Sequence, residues 1–137
     1  MKVVYATATL LLLLATYAHG DHVFEASWHR NVIARARVED VKVVDGLYFF
    51  PETSLKREFF YPSKKQTKDQ YGTAFYYTLK ERHPDHGTHV KEDKHTAFSY
   101  RNPKDDFKHI KGMVAFHGGV TIQHVEVGDH HRDKDEL

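Results

Sequence analysis

The chain contains no cysteine, so whatever it folds into must be held by packing and backbone pairing, without disulfides or thiolate-bound metal. That constraint weighs more because Met1 to Gly20 reads as a secretory leader: Lys2 gives a positive start, Leu10 to Ala15 an apolar centre, and Ala18-His19-Gly20 the small residues that precede cleavage. Small exported domains usually rely on disulfides to compensate for a limited core. This one needs a core rich in large side chains, and its Tyr and Phe clusters supply them. The absence of thiols also excludes cysteine nucleophiles and disulfide exchange. Neither Asn31 nor Asn102 starts an Asn-x-Ser/Thr acceptor.

The last four residues, Lys134, Asp135, Glu136 and Leu137, spell an endoplasmic-reticulum retention signal. Leader and tetrapeptide together predict a protein of the endoplasmic-reticulum lumen or secretory pathway, with extracellular secretion as the alternative. A retrieval receptor is the partner such a tail requires. The organisation expected is a signal peptide over 1–20, a β-rich domain over 21–127, and a disordered charged tail over 128–137. Without the leader, 19 basic residues (20 less Lys2) face 19 acidic ones. That balance argues against nucleic acid, or a membrane once the leader is removed, as the main partner.

Alternating Val, Thr and aromatic residues favour strands. The expected strands are Val23 to Trp28, Asn31 to Arg37, Val41 to Val44, Leu47 to Phe50, Glu58 to Tyr61, Thr73 to Leu79, His95 to Tyr100, Met113 to Phe116 and Val120 to Val127. Asp45-Gly46 signals a two-residue hairpin turn. Ser63 to Gln70 reads as a polar loop and Lys80 to Lys94 as a long exposed connection. Aromatics on both faces of Thr73 to Leu79 mark a central strand. A helix is predicted with Asn102 as N-cap, Pro103 first and Gly112 past its end. Gly118-Gly119 is expected to turn the last hairpin.

In chain order, Tyr48-Phe49-Phe50-Pro51, Gly72-Thr73-Ala74-Phe75-Tyr76-Tyr77, Ala97-Phe98-Ser99-Tyr100-Arg101-Asn102-Pro103 and Ile110-Lys111-Gly112-Met113-Val114-Ala115-Phe116 resemble the family known as domain of unknown function 427, also labelled nucleotidyltransferase-like. The resemblance runs from about Asn31 to Val125. It implies a mainly β domain of curved antiparallel sheets, forming a small open barrel or tent with one short helix before the last hairpin. It does not imply an activity. Where the family usually carries Cys-Pro-x-Lys-Gly, this chain has Lys68-Asp69-Gln70-Tyr71-Gly72, and Phe98 stands where the family usually has Trp.

Tyr48, Phe50, Tyr76, Phe98 and Tyr100 come from different motifs, and a concave sheet can gather them as the lining of one ligand pocket. Their commoner fate is plain core. His83, His86 and His89 recur at every third position and are weak candidate metal ligands, since Pro84 and Gly87 prevent a helix from stacking them. No cofactor is implied. No phosphate-binding glycine loop, nucleophile elbow or Gly-Ser with paired aspartates occurs, so the transferase label finds no motif. The leading expectation is a binding or interaction module that forms a homodimer through an aromatic sheet surface, with a small molecule as a further possible ligand. The alternatives are a small-molecule enzyme working through a Tyr/His-lined pocket and a histidine-based metal binder.

Overall fold

The computed structural model describes residues 21–81 and 91–128. Met1 to Gly20, where a leader is expected, His83, His86 and His89, and Lys134 to Leu137 lie outside the described residues. Among the described residues nine strands follow in order: β1 (Asp21–Trp28), β2 (Asn31–Arg37), β3 (Lys42–Val44), β4 (Leu47–Phe49), β5 (Phe60–Asp69), β6 (Gly72–Glu81), β7 (Lys91–Tyr100), β8 (Val114–Phe116) and β9 (Thr121–Val127). All pair antiparallel, in a three-stranded sheet β2-β1-β9, a hairpin β3-β4, and a four-stranded sheet β5-β6-β7-β8. The fold is mainly β, as expected, and the sheets do not close into a barrel.

Alternation along the central strands creates two cores. Successive side chains of a strand point to opposite faces of its sheet, and here each face finds its own apolar partners. Tyr77 and Leu79 of β6, Ala97 of β7, and Val114 and Phe116 of β8 meet Ala26, Trp28, Ile33 and Ala34 of the three-stranded sheet. Ala74 and Tyr76, Phe98 and Tyr100, and Ala115 turn the other way to meet Phe49, Tyr71 and Ile110. Phe50 and Phe49 split between the two cores in the same manner. Phe50 also joins β4 to β8: its amide donates to the Val114 carbonyl at 2.8 Å, and the Val114 amide donates back at 2.9 Å.

The Asp45-Gly46 hairpin forms as expected, with φ of 50° and 79° at its two central residues. Trp28 closes the first core and donates its indole N–H to Asp93 at 2.6 Å, which ties the end of β1 to β7.

Four expectations need correction. The stretch Ser63 to Gln70 is not a loop, because β5 runs on to Asp69 and pairs with β6. An edge strand needs backbone partners on one side only, so a polar sequence suffices; Lys64, Lys65 and Lys68 then discourage further pairing on the open side. The register shifts between Pro62 and Gln66, next to the residue that has no amide to donate. The ends of the Lys80 to Lys94 connection are likewise strand: Lys80 stands opposite Glu92 and Glu81 opposite Lys91, with Lys80 and Glu92 paired at 3.8 Å.

The expected helix is a pair of 3-10 turns over Asp105–Ile110, broken at Phe107 and without a side-chain cap. Asn102 and Pro103 remain outside it, because the Lys104 amide donates to the Tyr71 carbonyl at 2.8 Å and the Asn102-Pro103 backbone lies against Gly72. Six residues so tethered are too few to offset the cost of starting an α-helix. Finally, Gly118-Gly119 does not turn a hairpin: β8 pairs with β7 and β9 with β1, so this link carries the chain from one sheet to the other. Gly119 passes Asp93 with φ of 102°.

Because Phe50 is 0% exposed, Phe50→Ala is expected to cost about 3–5 kcal/mol in urea denaturation. Val43→Ala, at a site 54% exposed, is expected to stay within about 0.5 kcal/mol of the parent. Equal effects of the two would contradict this core.

Candidate functional site

The second core reaches solvent beside the β5 edge of the four-stranded sheet. Its floor is Phe98, buried in β7, beside the half-buried Tyr76 of β6. His117, just after β8, lies flat on Phe98 with ring centroids 4.4 Å apart and planes 27° apart, and runs nearly parallel to Tyr76 at 6.0 Å and 15°. Two local facts place it there. Strand parity puts residue 117 on the same face as Ala115, and its amide donates to the Thr96 carbonyl at 2.8 Å.

Polar groups rim this stack. Lys65 sets its ammonium over the Tyr76 ring at 4.7 Å. The Thr67 and Tyr76 hydroxyls are 3.0 Å apart. His95 presents its edge to Tyr76 at 6.2 Å, and its Nδ1 sits 2.9 Å from Ser63 Oγ. The Lys65 amide donates to the same Oγ at 3.1 Å, which leaves the Ser63 hydroxyl proton free to point at His95. His95 has φ of 60° in the middle of β7, at the register break between Tyr77 and Leu79. A bulge of this kind re-aims a side chain, and a non-glycine residue in this region is strained.

Burial against Phe98 and Tyr76, followed by the nearby Lys65 charge, holds the His117 imidazole below its ordinary 6.5. The ring is therefore neutral at pH 7 and has a lone pair to offer. The stability sign follows. Between the depressed folded value and 6.5 the unfolded chain binds more protons, so this group favours the fold above 6.5 and its contribution falls away as the pH drops through that window.

The other end of the same core is closed. The Tyr71 hydroxyl donates to Asp45 and accepts from Gln70 Nε2 at 2.9 Å. The Tyr71 amide donates to Asp69 Oδ1 at 2.9 Å, and the Tyr100 hydroxyl donates to Asp69 Oδ2 at 2.5 Å. Phe107 packs edge-on to Tyr71 at 4.6 Å. The Tyr71 phenol is raised by its hydrogen bond to Asp45 and then by burial, and the Tyr100 phenol strongly by burial and then by Asp69. Both tyrosines serve here as neutral donors that fasten the β3-β4 turn and β7 to the β5-β6 turn. Tyr71 and Asp69 fall within the stretch that departs from the Cys-Pro-x-Lys-Gly pattern.

The five aromatic residues singled out in the sequence do not share one pocket. Tyr76 and Phe98 meet at the open end, with centroids 5.9 Å apart, and Tyr100 follows Phe98 at 6.0 Å but is sealed inside. Tyr48 and Phe50 belong to the opposite core, against Phe24 at 5.1 Å and Phe116 at 5.8 Å respectively. Sequence reasoning missed His117, Lys65, Ser63 and Thr67. Parity from Ala115 could have found His117, whereas Lys65, Ser63 and Thr67 were hidden by reading β5 as a loop.

On the first-core side a shallow groove of about 240 Å³ is lined by Glu52, Leu55, Arg57, Phe60, Pro62 and Tyr77, below the usual size of a small-molecule pocket. Among the described residues no three His, Asp or Glu side chains converge on a metal position, and no helix is long and apolar enough to cross a membrane.

These features define an antiparallel β domain with two cores and an aromatic, imidazole-bearing face on the four-stranded sheet. The model of the family described as a domain of unknown function (DUF427) matches residues 19–128, and the chain belongs to that family. No curated protein matches the chain.

Tyr100→Phe removes a donor to a carboxylate. Since Asp69 is exposed and water can replace the lost partner, the expected cost is about 1 kcal/mol rather than the larger value of a buried charged bond. The raised Tyr100 phenol keeps its proton in the fold when the unfolded chain loses its own. Its contribution is thus complete below pH 10 and declines as pH rises above 10. Denaturation midpoints against pH should show this alkaline decline in the parent and a shallower one in Tyr100→Phe; identical curves would contradict the assignment.

Proposed function

We propose that the domain is a binding module whose ligand is a small planar anion, such as an aromatic carboxylate, seated on the face formed by His117, Tyr76 and Lys65. The observation that carries this reading is the solvent-facing stack of His117 on buried Phe98 with Lys65 beside it. A flat ligand continues the stack over rings already held in place, so little ordering cost falls on the protein. Lys65 supplies the charge that favours an anion, and Thr67 and Tyr76 supply hydroxyls to fix its orientation. Neutral His117 stacks without a charge of its own and keeps one ring N–H to donate to the anion.

The Ser63–His95 contact favours a second, enzymatic reading. A hydroxyl set beside an imidazole nitrogen, with an amide donating to it from behind, is an arrangement used in acid-base and nucleophilic chemistry. The two readings separate by experiment. In the binding reading, titration with benzoate or an indole carboxylate, followed by NMR, moves the ring signals of His117, Tyr76 and His95. Lys65→Ala and His117→Ala each weaken the complex roughly tenfold, in line with the loss of one charged or stacking contact, while Ser63→Ala changes it little. An ester hydrolysis that disappears in Ser63→Ala with binding intact would favour the enzyme. A panel of planar anions that leaves all three rings unmoved would remove the binding proposal.

A further inference from the structure

A second pair of imidazoles lies on the other sheet, away from the face just described. His22 of β1 and His124 of β9 place Nδ1 and Nε2 2.9 Å apart, with ring centroids 4.9 Å apart. Their position follows from the register: Phe24 stands opposite His124 and His22 opposite Glu126, so all four side chains share one face of the β1-β9 ladder. Phe24 backs His124 at 5.6 Å and is itself braced by Tyr48 at 5.1 Å, which gives the pair a packed floor. Glu126 is exposed on the same face and adds negative charge nearby.

We infer that His22 and His124 form a two-histidine chelate for copper(II). With metal–nitrogen bonds of about 2.0–2.1 Å, two ligands in neighbouring corners of a square-planar site stand about 2.9 Å apart, whereas a tetrahedral zinc site needs about 3.3 Å. The observed 2.9 Å is the length of the hydrogen bond that joins the rings, so the two nitrogens already stand at the spacing of neighbouring square-planar corners and the rings need only turn their lone pairs towards a common metal position. Copper(II) also leads the affinity order of the divalent first-row ions for imidazole. Without metal, one ring donates its proton to the other; metal binding requires both facing nitrogens to offer lone pairs, so that proton moves to the far nitrogen or leaves. No third His, Asp or Glu converges on the position among the described residues, so the remaining corners are open to solvent or to a ligand that copper brings. The inference is independent of the planar-anion reading, whose residues lie on the four-stranded sheet.

The test must separate this pair from His83, His86 and His89. A site that bridges β1 and β9 exists only in the folded protein and therefore raises Tm as copper is added, whereas histidines that bind equally well in the unfolded chain do not. In the full chain, copper(II) is expected to raise Tm, and electron paramagnetic resonance to show coupling to two imidazole nitrogens. Both signatures persist in the H83N/H86N/H89N variant and vanish in H22N and in H124Q. A Tm rise that survives in H22N/H124Q, one abolished in H83N/H86N/H89N, or none in the parent would each overturn the site.

Discussion

The β6-β7 ladder is a wall shared by two cores, and the rest of the domain depends on it. A sheet face left to water contributes little to folding, but here both faces of the ladder bury large side chains, so a short chain without disulfides gains two apolar interiors from one set of strands. The remaining elements are covers for that wall. The three-stranded sheet covers one side, and the β3-β4 hairpin with the 3-10 turns covers the other. The reciprocal bond between Phe50 and Val114 joins the hairpin to the wall at the point where neighbouring phenylalanines enter opposite cores.

The two ends of the second core differ because of what caps them. At the β5-β6 turn, Asp45, Asp69 and Gln70 close over Tyr71 and Tyr100, and every hydroxyll proton is used internally. At the far end His117, Tyr76 and Lys65 meet solvent over a buried Phe98. Fixed aromatic rings, a lysine ammonium over one of them and a strained His95 in one place support the recognition role proposed for this face. The family to which the chain belongs is described as a domain of unknown function, so the functional argument rests on this face alone.

Much of the wall was legible in the sequence because its strands alternate strictly: Phe75 and Tyr77 against Ala74 and Tyr76 can be read directly as two faces. The Asp45-Gly46 turn was legible because its backbone conformation selects those residues. Other parts were not, each for a physical reason. β5 is polar because it pairs on one edge only, so apolar periodicity carried no signal for Ser63 to Asp69. The Asn102-Pro103 segment has helix-start chemistry, but contacts to Tyr71 and Gly72 hold it outside the 3-10 turns that follow. Gly118-Gly119 has the composition of a hairpin turn, and only long-range pairing shows that it changes sheets. For the same reason the five aromatic candidates could not be sorted into two cores without knowing which faces meet.

Native-state hydrogen exchange tests the shared wall most directly, since it reports the opening free energy of each amide. If the ladder is the common support of both cores, the amides of Phe75 to Leu79 and Ala97 to Ser99 exchange only through global unfolding, with one common free energy. Those of Lys65 to Asp69 on the β5 edge, and of β9, exchange through smaller openings. Central β6 and β7 amides that exchange as readily as those edges, while either cover remains protected, would contradict the account.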